Sequence, residues 1–478
     1  MLEKIKEEQG NSSFFFLILL PLTVLVLFLT FENAQLRRDE LDFVRACENN
    51  LDLTLADFDR KLWHEFGLWG VENSLLNQHS KELEQNYVRR ANKLNIQISS
   101  KTDLDDLDNL RRQILRHMSI RGPFLITEEL ITRFTDFQLL GETIAQSSAW
   151  SEIANSDNFI DPEVIIDNPD LFAGNISDLD LEISEEDQAE LEGLSETELN
   201  GLTNAALAVL TEIISGAKEM IIPYYESTGN DVPADPLAPN SLHKIAEFSE
   251  MFLVNYDLPI ISRLQIQEYI FNYFTMQCNQ LELNGEQINL QTPDGRLHSE
   301  LSSAGRKNEV EQIIFAKDNP DKAASTAKGT IRGICFGYHF INNYYDQTKQ
   351  NIYLAEATAT CTLIALASLG HVILEPQPLV YLFMLIDSLH EAILDTNQLL
   401  DGKEVTFKIK DYQIQLNYRD FMRVFSVFNS EEKLLTRINQ IRKKTIPGVY
   451  VTGFLLEANF RKSSLRMSRE FSDYVAEN

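Results

Sequence analysis

The chain has 478 residues, a net charge of −30 and 44 % hydrophobic residues. This length is enough for two or three domains, and the apolar content is that of a folded protein. The strong negative charge argues against a nucleic acid partner and disfavours tight contact with an anionic lipid surface, because like charges repel.

The longest uncharged stretch lies near the N-terminus and runs from Phe14 to Phe31. As a helix it would extend about 27 Å, close to the hydrocarbon thickness of a bilayer. It is longer than the apolar region of a signal peptide, and no small-x-small cleavage site follows it, so we predict an uncleaved anchor in membrane lipid. The basic residues on its two sides nearly balance, so the charges leave its orientation open.

Apolar residues continue beyond the anchor at the spacing of a helix, and no Pro or Gly interrupts the chain from Thr23 to Phe66. We predict one long helix that leaves the membrane, docks its apolar stripe on a globular head and is ended by Gly67 and Gly70. A separate amphipathic helix after a hinge near Glu32 is the alternative. The stripe consists of Leu36, Phe43, Cys47, Leu51, Leu55, Phe58 and Leu62.

The next segments predict smaller elements of the head. Residues 73–93 are polar and predicted to be helical, and residues 94–98 alternate as a strand. A further helix is predicted to be capped by Thr102 or Asp103 and to be closed by Gly122-Pro123.

A strongly acidic region covers residues 134–217, with nineteen Asp or Glu and no Lys or Arg. Its centre, about residues 155–200, predicts a mobile loop with short helical pieces. A calcium site is the alternative, but residues 178–182 lack the Gly and the terminal Glu of an EF-hand loop. A capping-box pattern at Ser195 opens a helix, and residues 227–240 predict a linker.

The C-terminal half alternates helical and β patterns, and the aromatic residues near 269–274 have the spacing of core positions. We expect an α+β fold, mostly helical, in which a single N-terminal transmembrane helix continues into a large globular head with small β elements. The predicted elements are a hairpin or loop at 281–305, a helix at 323–347, an antiparallel helix pair at 351–371 and 379–400, strands at 405–409 and 413–416, helices at 418–428 and 431–443, and a β segment at 448–460 that pairs with an earlier strand.

These patterns divide the chain into five segments. Residues 1–13 are a cytoplasmic N-terminus, 14–31 the transmembrane helix, and 32–133 a helical stalk with the first part of the head. An acidic variable region with a helix and linker spans 134–240, and a helical head with C-terminal β elements spans 241–478.

The sequence carries no catalytic pattern. Neither a His-Glu-x-x-His nor a Gly-x-Ser-x-Gly motif is present. His390, Glu391 and Asp395 share a helical segment, but their spacing does not make a ligand set, and we interpret them as solvated or capping residues. The four cysteines, which have no Cys-x-x-Cys spacing, are expected to be buried thiols, with a disulfide between distant cysteines left open. We therefore predict no catalytic, cofactor-binding or metal-binding residue, no cofactor and no enzyme activity.

Several blocks of sequence together resemble a family of uncharacterised, membrane-anchored proteins of Bacillota that are associated with tight-adherence (Tad/Flp) pilus systems and are TadE/TadG-like. The blocks cover nearly the whole chain except its acidic middle, and the block at 56–69 is the most specific. They are residues 10–35, 56–69 (ADFDRKLWHEFGLW), 112–123, 268–274, 309–317, 391–405 and 418–423.

The resemblance implies a cytoplasmic N-terminus, an extracellular head and a non-enzymatic role as a minor pilin-like or accessory component of a pilus or secretion system, with other membrane or pilus proteins as partners. Pilins cut by a prepilin peptidase carry a Gly at the cleavage site and a Glu five residues later. Here Gly10 is present, but Phe15 stands at the acidic position, which leaves processing open. A membrane-tethered head that binds or senses an external ligand is the alternative function, and a tethered hydrolase is the third.

Overall fold

The structure is a computed structural model that describes residues 2–87, 94–125, 136–137, 139–144, 149, 261–283, 286–367, 374–409, 412–460 and 463–471, together with five isolated positions between 204 and 219. The chain divides into two compact units. Unit 1 comprises Met1–His117 and Arg442–Asn478, and unit 2 comprises Met118–Ile441. The predicted α+β, mostly helical fold with one long apolar N-terminal helix is confirmed.

A small antiparallel sheet organises unit 1. Its elements in chain order are α1 (Leu2–Ala56), α2 (Arg60–Phe66), β1 (Val71–Glu72), α3 (Asn73–Tyr87), β2 (Leu94–Asp103), α4 (Leu107–Leu125), the C-terminal end of α12 (Glu431–Thr445), β7 (Tyr450–Phe460) and β8 (Ser463–Glu470). Strand β7 is central, with β2 on one side and both β1 and β8 on the other. The predicted pairing of residues 448–460 with an earlier strand is confirmed, and that strand is β2.

The C-terminal part of α1 docks on this sheet, as the stripe predicts. Phe43, Cys47, Leu51 and Leu55 are buried against the inner face of the sheet. The ring of Phe43 stacks on Phe460, with centroids 4.5 Å apart. The apolar stripe therefore becomes the core of unit 1, and only its first member, Leu36, is exposed (43 %).

The prediction of one continuous helix as far as Phe66 is wrong. Helix α1 ends at Ala56 and a second helix, α2, begins at Arg60. The break occurs because the Asp59 side chain accepts hydrogen bonds from the backbone N–H groups of Lys61 and Leu62 and so caps a new helix. Gly67 ends α2 in the left-handed conformation (φ 63°), as predicted.

The predicted cap and the predicted end of the next helix are also wrong. Thr102 and Asp103 belong to β2 instead of capping a helix, and α4 begins at Leu107 after Asp106, whose side chain accepts from the Asp108 N–H. Gly122-Pro123 lies inside α4, which ends at Leu125. A proline removes one backbone donor, and so close to the end of a helix this loss does not stop the last turn.

Unit 2 is built mainly of helices. In chain order it contains α5 (Ile261–Tyr273), β3 (Gln280–Leu283), β4 (Glu286–Asn289), α6 (His298–Ser303), α7 (Glu309–Phe315), α8 (Pro320–Tyr345), α9 (Gln347–Ala367), α10 (Pro376–Leu400), β5 (Val405–Ile409), β6 (Tyr412–Leu416), α11 (Tyr418–Val427) and the first part of α12. Helices α9 and α10 pack antiparallel, since Lys349 reaches Glu391 and Tyr353 reaches Asp387.

Most predicted elements of this half are confirmed. The β3–β4 and β5–β6 hairpins are antiparallel, and α8, α11 and α12 lie where the patterns predict them. Helix α10 begins three residues before its predicted start, with Pro376 and Pro378 in its first turn. The aromatic residues of α5 are core residues, and all four cysteines are free and buried. The acidic centre, the calcium alternative and the linker at 227–240 lie outside the described residues.

Candidate functional site

The N-terminal part of α1 exposes its apolar side chains. Leu20 is 68 % exposed and Phe28 59 %. Among the residues that the structure describes, one helix, α1, is long enough and apolar enough to cross a membrane. Its threonine hydroxyls are satisfied within the helix, because Thr23 donates to the Leu20 carbonyl (2.8 Å) and Thr30 to the Leu27 carbonyl (2.9 Å). Such internal pairing suits a lipid environment, which offers no other partner.

A bare stretch of α1 separates this apolar segment from the docked part. The last residue of the uncharged stretch is Phe31, and the first one buried in the core of unit 1 is Phe43. Twelve residues of helix extend about 18 Å. Headgroup regions add about 5–8 Å to each side of the hydrocarbon core, so a bilayer around the uncharged stretch would leave the docked part of α1 outside its headgroups. We name this stretch, residues 32–42, the stalk. The stalk exposes Leu41 (59 %).

The sequence block at 56–69 forms a junction at the end of α1. Beyond the bonds that cap α2, the Asp59 carboxylate accepts from the Tyr450 hydroxyl (2.8 Å), and the Asp59 N–H donates to the Gly70 carbonyl (2.9 Å). The Gln113 amide makes two 2.9 Å hydrogen bonds with the backbone of Trp69. These contacts attach the block to strand β7 and helix α4.

Aromatic rings fill the same junction. Trp69 lies 4.4 Å from Phe58 and 4.2 Å from Trp63, measured between ring centroids, and 5.8 Å from Phe471. All four rings are half-buried. Offset and edge-on ring pairs of this kind add about 0.5–1.5 kcal/mol each beyond the burial of area. The block that carries the family resemblance is therefore a packing junction of unit 1.

Unit 2 contains a buried cluster of ions, which the sequence patterns did not predict. Glu268 of α5 is 2 % exposed and accepts from Arg419 (3.0 Å) and Arg423 (2.9 Å) of α11. Burial alone would raise the pKa of Glu268, but the two guanidinium groups outweigh burial and hold that pKa below its usual value. Both guanidinium groups also lie over the ring of Phe271.

A second ion pair lies in the same core. Arg306 donates from Nε to Glu309 Oε1 at 2.9 Å, and both side chains are almost fully buried. Its Nη2 donates to the Tyr273 carbonyl (2.7 Å) and to Glu309 Oε2 (2.9 Å). Arginines and aromatic rings thus meet here, as a ligand-binding head would require. Each of these arginines, however, is already paired with a carboxylate of the same chain, so we interpret the cluster as a structural core.

Glu311 is a further carboxyl group of this cluster. It is fully buried and accepts from the Tyr418 hydroxyl (2.6 Å) and the Gln277 N–H (2.9 Å). Burial raises the pKa of Glu311 despite these two hydrogen bonds. The three arginines face four carboxyl groups, namely Glu268, Glu309, Asp420 and Glu311, so the charges balance when Glu311 holds a proton.

His298 lies in the same core without a charge. It is fully buried, and among the described residues neither ring nitrogen has a hydrogen-bond partner of normal geometry. Burial, with Arg419 and Arg306 nearby, lowers the pKa of His298 to about 4. A neutral imidazole at this position avoids a further cation beside two guanidinium groups.

His339 has the opposite surroundings. Its Nε2 lies 2.7 Å from Asp395 Oδ2 and its Nδ1 3.1 Å from Glu391 Oε2. Burial would lower the pKa of His339, but the bonds to these two carboxylates outweigh burial and raise it. The same contacts, with those of Lys349, hold the pKa of Glu391 at about 2. His339 thus bridges α8 to α10, and its protonated form can donate from both nitrogens to these carboxylates.

This bridge is part of a longer chain of polar contacts. The Lys349 ammonium donates to Glu391 (2.8 Å), to Asn343 (2.7 Å) and to Asp387 (3.4 Å), and the Tyr353 hydroxyl donates to Asp387 (2.6 Å). The chain joins three helices, α8, α9 and α10. Its ionisable His, Lys, Asp and Glu side chains are about a sixth to two-fifths exposed, whereas Asn343 and Tyr353 are buried. We name it the α8–α10 polar network.

The sequence interpretation of this site is partly wrong. Glu391 and Asp395 are not simply solvated, because they bind His339, whereas His390 is exposed. The signal that could have found them is the spacing of Asp387, Glu391 and Asp395, which places three carboxylates on one face of a helix. No spacing in the sequence identifies His339, about 50 residues earlier, as their partner.

Within the described part of the chain, no group of three or more His, Cys, Asp or Glu side chains is arranged to hold a metal ion. Comparison with known proteins finds no matching family model, no matching curated protein and no matching solved structure.

Proposed function

We propose that this chain is a non-enzymatic single-pass membrane protein with an extracellular head, and that it acts as a minor pilin-like or accessory component of a tight-adherence-type pilus or secretion system. One observation carries the proposal: helix α1 exposes apolar residues over its N-terminal part and buries Phe43, Cys47, Leu51 and Leu55 in the head. The resemblance of the sequence blocks supplies the system in which such a part would serve.

The mechanism is mechanical. A helix that is continuous from Leu2 to Ala56 joins the lipid-facing segment to the head without a flexible hinge. Force or displacement applied to one end would be transmitted along about 80 Å of helix. In lipid, the apolar segment would pack against transmembrane helices of partner proteins, and the stalk with Leu41 would lie just outside the membrane.

The orientation can be tested by labelling single cysteines. The four native thiols are buried, so a membrane-impermeant maleimide should leave them unmodified in the folded protein. Ser303→Cys places a thiol at an exposed position of the head, and Ser12→Cys places one before the span. We expect the first to be labelled in intact cells and the second only after lysis. The reverse pattern would refute the extracellular head.

The role in assembly needs a separate test. We expect the full-length protein to co-purify with pilus components after crosslinking in the membrane, and its deletion to reduce piliation. Leu41→Glu, on the exposed stalk, should weaken association more than Leu53→Glu, which lies on the docked part of α1 and is 62 % exposed. The proposal would be refuted if the protein never associates with pilus components and its loss leaves piliation unchanged.

A further inference from the structure

The α8–α10 polar network has an excess of carboxylates. Asp387, Glu391 and Asp395 follow one face of α10 at intervals of four residues, and Lys349 is the permanent cation among them. With His339 protonated, two cations face three carboxylates. With His339 neutral, a single cation faces three, and one ring nitrogen becomes an acceptor opposite a carboxylate oxygen.

The geometry gives each ring N–H of protonated His339 a carboxylate acceptor. Nδ1 and Nε2 each lie within 3.1 Å of a carboxylate oxygen, and the two carboxylates are on successive turns of α10. A neutral imidazole has one donor, so it can satisfy only one of them. Losing the second proton therefore removes one charge-assisted hydrogen bond and introduces a repulsive contact between helices α8 and α10.

From this geometry we propose that His339 is an acid-stabilised clamp between α8 and α10, so that this helical layer of unit 2 is held tightly in acidic surroundings and loosens as the surroundings become alkaline. The inference goes beyond the proposed function, since it concerns how the head responds to its surroundings, wherever that head is placed. The permanent Lys349 contacts keep the layer assembled when the clamp opens, so the response is a change in local opening and not unfolding.

The charged groups that bind His339 favour its protonated form. Those on α10 are anionic, and the cation on α9 is itself paired with them. On α8, Cys335 and Tyr338 are neutral at ordinary pH because burial raises the pKa of each, and Arg332 is a cation close to Cys335. The titratable and charged groups that face the ring or its partners are Asp387, Glu391 and Asp395 of α10, Lys349 and Tyr353 of α9, Arg332, Cys335 and Tyr338 of α8, and Lys408 of β5, whose backbone binds the Tyr338 hydroxyl.

The pH dependence of stability follows from the difference in the pKa of His339 between the folded and unfolded chain. The pKa of His339 is raised in the folded chain above its ordinary value of 6.5. A raised histidine pKa contributes stability that is fully present below pH 6.5 and is lost as pH rises through the folded pKa. Each unit by which the folded pKa exceeds that value corresponds to about a tenfold change in the opening equilibrium of the layer.

The test is amide hydrogen exchange of the full-length protein in lipid nanodiscs, at about pH 6 and about pH 9, after correction for the intrinsic exchange rate at each pH. In the native chain, the amides of α8 and α10 should be protected more strongly at the lower pH, by about tenfold for each unit by which the midpoint of His339 exceeds 6.5. His339→Gln should abolish that difference. His390→Gln, an exposed histidine on α10 itself, should keep it.

Persistence of the full pH difference in His339→Gln would overturn the proposal. Because that variant could fail to fold, the imidazole of His339 is also titrated by NMR in the native chain. We expect a midpoint above pH 6.5 that moves toward acid in Asp395→Asn, which retains the histidine. A midpoint at or below 6.5 in the folded native chain, or one unmoved by Asp395→Asn, equally overturns the clamp.

Discussion

The two units of this chain use different physical means to hold their interiors. Unit 1 places Cys47, Leu51 and Leu55 of a long helix against the apolar face of an antiparallel sheet. Unit 2 buries ions, with Glu268 and Glu309 each held by arginine. An apolar core depends on volume and is insensitive to pH, whereas a core with buried charges depends on pairing and on protonation. Substitutions that remove volume or charge should therefore separate the two units.

The largest effect is expected from Glu268→Ala in unit 2. The substitution leaves Arg419 and Arg423 in the core without their shared carboxylate. Removing one partner of a buried ion pair costs about 3–5 kcal/mol, because the remaining charge is uncompensated. The free energy of unfolding, measured by hydrogen exchange of α5 and α11, should fall by that amount. Glu300→Ala, an exposed carboxylate on α6, is the control and should change little.

Leu51→Ala should cost about 2–5 kcal/mol in unit 1, because it deletes fully buried volume at the contact between α1 and the sheet. The matched control lies two residues further along the same helix, where Leu53 is 62 % exposed. Denaturation followed through Trp63 and Trp69, which lie in unit 1, measures both variants. Equal costs for the two would mean that the docked face of α1 is misassigned.

His298 should give unit 2 a sensitivity to acid. Its folded pKa is about 4 against an ordinary 6.5, so the unfolded chain takes up a proton first as pH falls. The depressed pKa of a buried histidine therefore removes stability between about pH 6.5 and pH 4, and the loss is of order 3 kcal/mol. Equilibrium unfolding of unit 2 across this range checks it.

His298→Leu is expected to flatten this part of the pH profile, whereas His390→Gln, exposed on α10, should leave it unchanged. The pH dependence of stability is opposite for the two histidines, because stability is lost at acidic pH at His298 and at alkaline pH at His339. A profile in His298→Leu as steep as that of the native chain would mean that other groups carry the acid sensitivity.

Local patterns predicted elements better than they predicted partners. The stripe at Phe43, Cys47, Leu51 and Leu55 predicted which face of α1 is buried, because helical periodicity is a property of neighbouring residues. The β-rich residues 448–460 predicted a strand that pairs with an earlier one, but not that β2 would be that strand. Pairing across about 350 residues depends on the whole fold and leaves no local mark.

The candidate sites illustrate the same limit. Asp59 interrupts the long helix through a capping bond that competes with an otherwise continuous apolar pattern. The buried ions of unit 2 come from α5, α7, α11 and the connection before α7, so no single window of sequence contains both members of the pair between Glu268 and Arg419. A charge in the sequence is read as surface by default, and only the fold identifies the few that are buried.

The smallest effect is expected on the outer face of the unit 1 sheet. Glu457 and Arg466 are directly opposite on β7 and β8, with 3.3 Å between Glu457 Oε1 and Arg466 Nε, and both side chains are more than half exposed. A double-mutant cycle with Glu457→Gln and Arg466→Gln should give a coupling energy of about 0–1 kcal/mol that decreases in high salt. The neighbouring residue on the inner face, Leu456, is fully buried, and its replacement by Ala should cost about 2–5 kcal/mol. One step along a strand thus separates the face that stabilises unit 1 from a face that water screens. A coupling of several kcal/mol, unaffected by salt, would mean instead that the outer face of this sheet is covered in the folded protein.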